Sequence, residues 1–292
     1  MKPRLHLLSM AILFVIAAGP GYAQAPSGRD STGLPGDHFS LQGALEMFKT
    51  AVSPEEFEKL INTQDKSVNN LDLNDDGEVD YIRVIDRATG DTHSFVLQVP
   101  VSKSESQDIA VIELEKTGND SVMLQIIGDK DIYGEEVIVE PDGGGADPED
   151  DDDQGDGKGP FYRMAGSANP FMPRMVVNVW TWPGVRYVYS LAYVVWASPW
   201  RWRAYPHWWH PWRPLAWGIF HPFRVRYRTG FAVVHTHRVV RAHRVYMPGR
   251  TTSVVVRTRY MGPVKHYRLS SATIKVRPGG VKARTRVHRG RR

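Results

Sequence analysis

Asp72, Asn74, Asp76 and Asp80 place oxygen-bearing side chains at positions 1, 3, 5 and 9 of the run Asp72-Leu73-Asn74-Asp75-Asp76-Gly77-Glu78-Val79-Asp80. The pattern D-x-N-x-D-G-x-x-D suits one hard cation. Side chains two residues apart converge as such a loop curls, and Gly77 permits the sharp turn. The carbonyl of Glu78 adds a ligand, and Asp80 completes the set directly or through water. The expected cofactor is therefore calcium, held by Asp72, Asn74, Asp76, Glu78 and Asp80. Position 12, where a bidentate glutamate would close the shell, is Arg83. That loss moves the expected affinity toward the roughly 10⁻⁴–10⁻³ M of extracellular modules. The competing reading is an acidic turn held by Asx hydrogen bonds without a metal.

These residues resemble the calcium loops of the EF-hand, dockerin and FG-GAP types. A strand, not a helix, is expected after the loop, so the likeness is nearest to the FG-GAP repeats, here in a single copy. It implies a cation and no reaction. Two longer stretches, Asn70–Asp86 (NLDLNDDGEVDYIRVID) and Thr236–Tyr246 (THRVVRAHRVY), resemble a family of uncharacterised exported bacterial proteins. That likeness would span most of the mature chain and implies no established activity.

The second chemistry is cationic and aromatic. All 32 acidic residues lie between Asp30 and Asp156, whereas the 25 Lys and Arg from Arg163 onward have no carboxylate in their own segment. The overall charge of +5 hides these opposed halves. All nine Trp fall between Trp180 and Trp217, densest in Trp200–Arg213, among Pro, Arg, His and Tyr. Flat rings stack on sugars or bury apolar material, and guanidinium groups bind phosphate and carboxylate through paired hydrogen bonds. The expected contacts are Arg201, Arg203, Trp208, Trp209, Trp212 and Arg213, and the expected partner is an anionic envelope polymer or glycan. Two alternatives stand beside it: association of the basic half with the acidic half, the Trp residues forming a core, and a seat at a membrane surface. Nucleic acid is disfavoured, because export removes the chain from it and no nucleic-acid fold motif is visible.

Catalytic chemistry is weakly represented. Ser-His-Asp or paired-carboxylate sites cannot be assembled within residues 157–292, and G-x-S-x-G, P-loop and H-E-x-x-H motifs are absent. The acidic half holds only His38 and His93, and His93, next to an expected turn, is expected to face solvent. A periplasmic enzyme of unrecognised hydrolase type is kept as an alternative, to be favoured by a cleft holding His93 beside a buried carboxylate. His207/His210 and His235/His237 have the spacing to share a transition metal. Solvated or stacking histidines are the preferred reading, since metal-bound imidazoles lean on carboxylates or carbonyls and no carboxylate is local.

The elements that must position these groups are legible in part. Residues 1–23 read as a signal peptide: Lys2 and Arg4, an apolar stretch from Leu7 to Ala18, and small residues before a cut after Ala23. Export to the periplasm, the outer membrane surface or the exterior is expected, and with zero cysteines the fold must rely on its core or on a metal. Residues 24–38 read as a flexible leader. Leu41, Ala44, Leu45 and Phe48 mark one short helix after Ser40. Ser53-Pro54-Glu55-Glu56 is a capping box opening a second, with Phe57, Leu60 and Ile61 as its stripe.

Period-two strands are expected at 79–86, 94–99, 108–115, 121–127 and 136–140. Residues 39–140 are thus an α+β domain in which two short helices pack on one side of an antiparallel sheet. An acidic disordered linker (141–159) and an aromatic basic region (160–277), partly β or irregular, would follow. Within it 175–198 reads as a buried β-rich segment and 251–260 as strand-like. A basic disordered tail (278–292) ends the chain.

Overall fold

A computed structural model describes residues 31–143 and 176–275. The expected signal peptide, the start of the leader, most of the acidic linker and the basic tail lie outside the described residues.

The chain enters on α1 (Leu41–Thr50) and α2 (Pro54–Ile61). Ser40 caps the first, its Oγ accepting from the N–H of Gly43 at 3.0 Å. Ser53 caps the second by accepting from Glu56 N–H, while the Glu56 carboxylate reaches back to the N–H of Val52. Five strands follow: β1 (Arg83–Thr89), β2 (Thr92–Pro100), β3 (Ser106–Gly118), β4 (Ser121–Gly128) and β5 (Val137–Pro141). A single turn of helix, α3 (Lys130–Tyr133), separates the last two. Each strand pairs antiparallel with the next. The described residues are therefore α+β, helices on an antiparallel sheet.

One face of the sheet carries Phe95, Leu97, Ile112, Leu114, Leu124 and Ile126 into the main core beneath the two leading helices. There the Phe48 ring lies 5.1 Å from Phe57 and 5.4 Å from Phe95. The expectation of a sheet covered on one side only is corrected. The second face, with Val96, Val111, Ile127 and Ile138, is also buried, under Tyr246 of α6 (Val240–Tyr246). The sheet does not end at residue 140 either. A sixth strand, β6 (Phe231–Val234), pairs antiparallel with β5, so the aromatic basic region completes the sheet begun by the acidic half.

The remaining helices also come from that region: α4 (Pro183–Val188), α5 (Trp217–Val225) and α7 (Val254–Lys275). Here the β-branched composition misleads. Residues 251–260 do not form a strand. Val256, Tyr260, Val264 and Tyr267 recur at helical spacing, and those buried or half-buried positions make one stripe of α7. Residues 175–198 are not a buried β segment: α4 interrupts them, and Leu191, Val194 and Val195 stand exposed. The leader is corrected as well from Ser31 onward. Asp37 gathers the hydroxyls of Ser31 and Thr32 and the N–H groups of Thr32 and Gly33, and buried Leu34 packs with Val264 and Tyr267. Among the described residues no helix is long and apolar enough to cross a membrane.

Candidate functional site

The loop expected to hold calcium connects the leading helices to β1, and Arg83 opens that strand rather than facing the loop. Gly77 adopts φ +82° and Asp75 φ +63°, the left-handed conformations that curl the chain. Asp72 accepts the N–H groups of Asp75, Asp76 and Gly77, and Asp76 accepts that of Glu78. The Asn74 amide nitrogen lies 3.0 Å from Asp76 Oδ2 and 3.2 Å from Asp80 Oδ1, so these side chains meet at one point. Burial pushes the Asp80 carboxyl up to about 7 against the hydrogen bond it accepts from Leu73 N–H, and repulsion from Asp72 and Asp76 adds to the rise. An acidic point with a buried, charge-crowded aspartate fits a hard cation. The Asx hydrogen bonds of the metal-free reading are present in the same loop.

The aromatic stretch folds onto this loop. Val79 N–H donates to Trp212 O at 2.8 Å, and Arg259 Nη1 to Leu73 O at 2.7 Å. The Tyr81 ring lies 5.1 Å from Trp209 and 5.8 Å from Tyr205. Of the six expected contacts, Trp209 is a core residue, only 4 % exposed and packed on Tyr81, Tyr205 and Trp212. A fixed turn needs such an anchor, and Trp209 supplies it. Trp212 is half-buried. Trp208 is exposed, with the Lys59 ammonium 5.7 Å from its ring. Arg201, Arg203 and Arg213 are exposed. A tight turn, closed by reciprocal hydrogen bonds between Arg201 and Ala204, projects Arg203 at φ +57° beside the Trp202 ring.

The basic half divides its cations. One set pairs with carboxylates of the acidic half. Arg238 Nε lies 3.1 Å from Glu140, Arg241 Nε 2.7 Å from Glu115, and Arg250 binds both Asp129 and Asp131. Arg201, Arg203 and Arg213 belong to a second set that makes no ion pair among the described residues, with Arg186, Arg244 and Arg257 elsewhere on the surface.

Two buried acids were missed in the sequence. Glu58 of α2 accepts from Tyr81 Oη, Val84 N–H, Ser198 Oγ and Trp196 Nε1, tying the 196–198 segment down, and burial raises its carboxyl above the usual range. Asp86 accepts from Tyr193 Oη at 2.7 Å and lies 2.8 Å from His93 Nδ1. His93 is not solvent-facing. Phe95, Tyr189 and Tyr193 surround its ring, which has beside it the buried carboxylate that the enzyme alternative asks for.

The histidines also regroup. His207, His210 and His235 are exposed, and His237 meets His243 of α6, ring centroids 4.5 Å apart, instead of His235. The carboxylate missing from their own segment arrives from β3: Glu113 Oε1 lies 2.8 Å from His243 Nδ1. Fold-dependent juxtapositions of this kind leave no local signal in the sequence. No family model, curated protein or solved structure matches the chain.

Proposed function

We propose that this is an exported, non-enzymatic protein of the cell envelope. A calcium ion on Asp72, Asn74, Asp76, Asp80 and the Glu78 carbonyl stiffens the loop on which the aromatic stretch rests. The outward cations adhere to phosphate- or carboxylate-bearing polymers or glycans of the envelope.

The observation that carries the proposal is the division of the basic side chains. Arg238, Arg241 and Arg250 pair their charge within the molecule, whereas Arg201, Arg203 and Arg213 keep theirs toward solvent in the stretch that also exposes Trp208. Intramolecular acidic–basic contact and adhesion therefore use different residues of one surface-divided half. Exposed Leu191, Val194 and Val195 favour a second reading, contact with a membrane surface.

Binding of the mature chain to lipopolysaccharide or acidic polysaccharide tests the main reading. Affinity is expected to fall steeply with salt and by about tenfold in Arg201→Ser/Arg203→Ser/Arg213→Ser, as exposed charges screened over roughly 10 Å must. Salt-insensitive binding, or none, overturns it. Binding to neutral lipid vesicles that is lost on Leu191→Ser/Val194→Ser would favour the membrane instead.

A further inference from the structure

The polar face of the sheet holds a second cluster, chemically unlike the aspartate loop. Glu113 sits at the middle of β3, flanked by Ser94 of β2 and Gln125 of β4, and is completely buried. One of its oxygens meets His243; the other, Oε2, is buried with no hydrogen-bond partner among the described residues. His237 lies in the segment joining β6 to α6. Its Nε2 is 3.5 Å from Glu136 Oε2, while its Nδ1 is buried and likewise unpartnered. One ligand atom from each of Glu113, His237 and His243 lies within 4.8 Å of the other two.

Buried polar atoms without partners are costly, so two of them on side chains that cluster this closely need an explanation. A metal ion supplies one. Glu136 Oε2, 3.5 Å from His237 Nε2, needs only a short approach to hold the tautomer whose Nδ1 carries a free lone pair, the carboxylate–histidine arrangement that orients metal-bound imidazoles. Tetrahedral bonds of about 2.0–2.1 Å set ligand atoms roughly 3.3 Å apart, so closing the cluster needs only a small contraction of side chains. Two imidazole nitrogens and one carboxylate oxygen select a borderline transition ion over calcium or magnesium. We infer that Glu113, His237 and His243 form a buried site for a divalent transition metal of the zinc class, with Glu136 as the carboxylate that orients His237.

The ion joins β3, laid down by the acidic half, to the segment and helix of the basic half that cover it. It clips the two halves together, and it is independent of what the outward arginines bind.

The test uses the mature chain stripped of metal with chelator and titrated with zinc chloride in the presence of millimolar calcium. One equivalent is expected to bind saturably and to raise the melting midpoint. His237→Ala removes an imidazole whose Nδ1 has no hydrogen-bond partner and should keep the metal-free fold; it is expected to weaken zinc at least about tenfold and abolish the rise. Glu136→Gln should weaken zinc by a smaller factor, and His235→Ala should change nothing. Cobalt, substituted for zinc, should show the intense visible absorption of a tetrahedral site in the native chain and not in His237→Ala. Absence of saturable zinc binding, or binding unchanged in His237→Ala and lost in variants of the exposed His207, His210 or His235, overturns the inference.

Discussion

Arg250 holds Asp129 with two nitrogens: Nη2 lies 2.7 Å from Oδ1, Nε contacts Oδ2, and Nη2 also reaches Asp131 Oδ2 at 2.7 Å. Asp129 is itself the N-cap of α3, accepting the N–H of Asp131. The cation thus fastens the stretch after α6 to the turn that joins β4 to β5. Removing it would leave Asp129, nearly all of whose side chain is buried, without a counter-charge. Arg250→Ala is expected to cost about 3–5 kcal/mol in chemical denaturation. Arg250→Lys should recover only part, because an ammonium cannot reproduce the forked geometry. A loss below about 1 kcal/mol for the alanine variant would show the grip to be energetically idle.

Glu58 gives a pH signature. Its folded carboxyl is raised above the ordinary 4.5 by burial, so the folded state holds this proton more tightly than the unfolded chain. Its contribution is complete below about 4.5 and is lost as pH rises through the raised value, by at most about 1.4 kcal/mol per unit. Glu58→Gln does not titrate. Its stability relative to the native chain is therefore expected to improve from pH 4.5 to pH 7 in urea denaturation. A difference that stays constant across that window refutes the linkage.

Calcium should act on the clasp between the loop and the later chain, which runs through Val79 to Trp212 and through Leu73 to Arg259. Millimolar calcium is expected to raise the thermal midpoint of the native chain and to slow proteolysis within residues 200–213. Asp76→Ala should lose both effects. An unchanged midpoint in the native chain would leave the aspartates as an Asx-bonded turn and nothing more.

How much of this was written in the sequence depends on the range over which each signal acts. Ser40 and Ser53 cap as their spacing predicts, and four of the five early strands lie where alternation places them, because caps and period-two patterns are decided within a few residues; β1 starts only at Arg83, since Val79 and Asp80 are taken up by the loop and its clasp. The loop curls at Gly77 for the same reason. What failed was non-local. Glu113 reads as the solvent side of a half-covered strand until α6 from 130 residues away is laid over it. Trp209 reads as a contact and is an anchor, since nothing nearby in sequence reveals that Tyr81 waits beneath it. The valines of 254–256 suggested a strand; the wider spacing Val256, Tyr260, Val264, Tyr267 was the available sign of a helix.

The pairing of β5 with β6 has a consequence for how the molecule is made. A chain delivered amino-terminus first presents β5 some 90 residues before its neighbour arrives. During that interval the strand's outer hydrogen-bonding groups are open to any other extended segment. Nascent copies emerging together are thus exposed to mutual capture at this border. The run Glu149–Asp153, four aspartates and a glutamate among five residues with one sign of charge, begins eight residues past the end of β5; like charge of this kind opposes the approach of the same segment on a neighbouring copy.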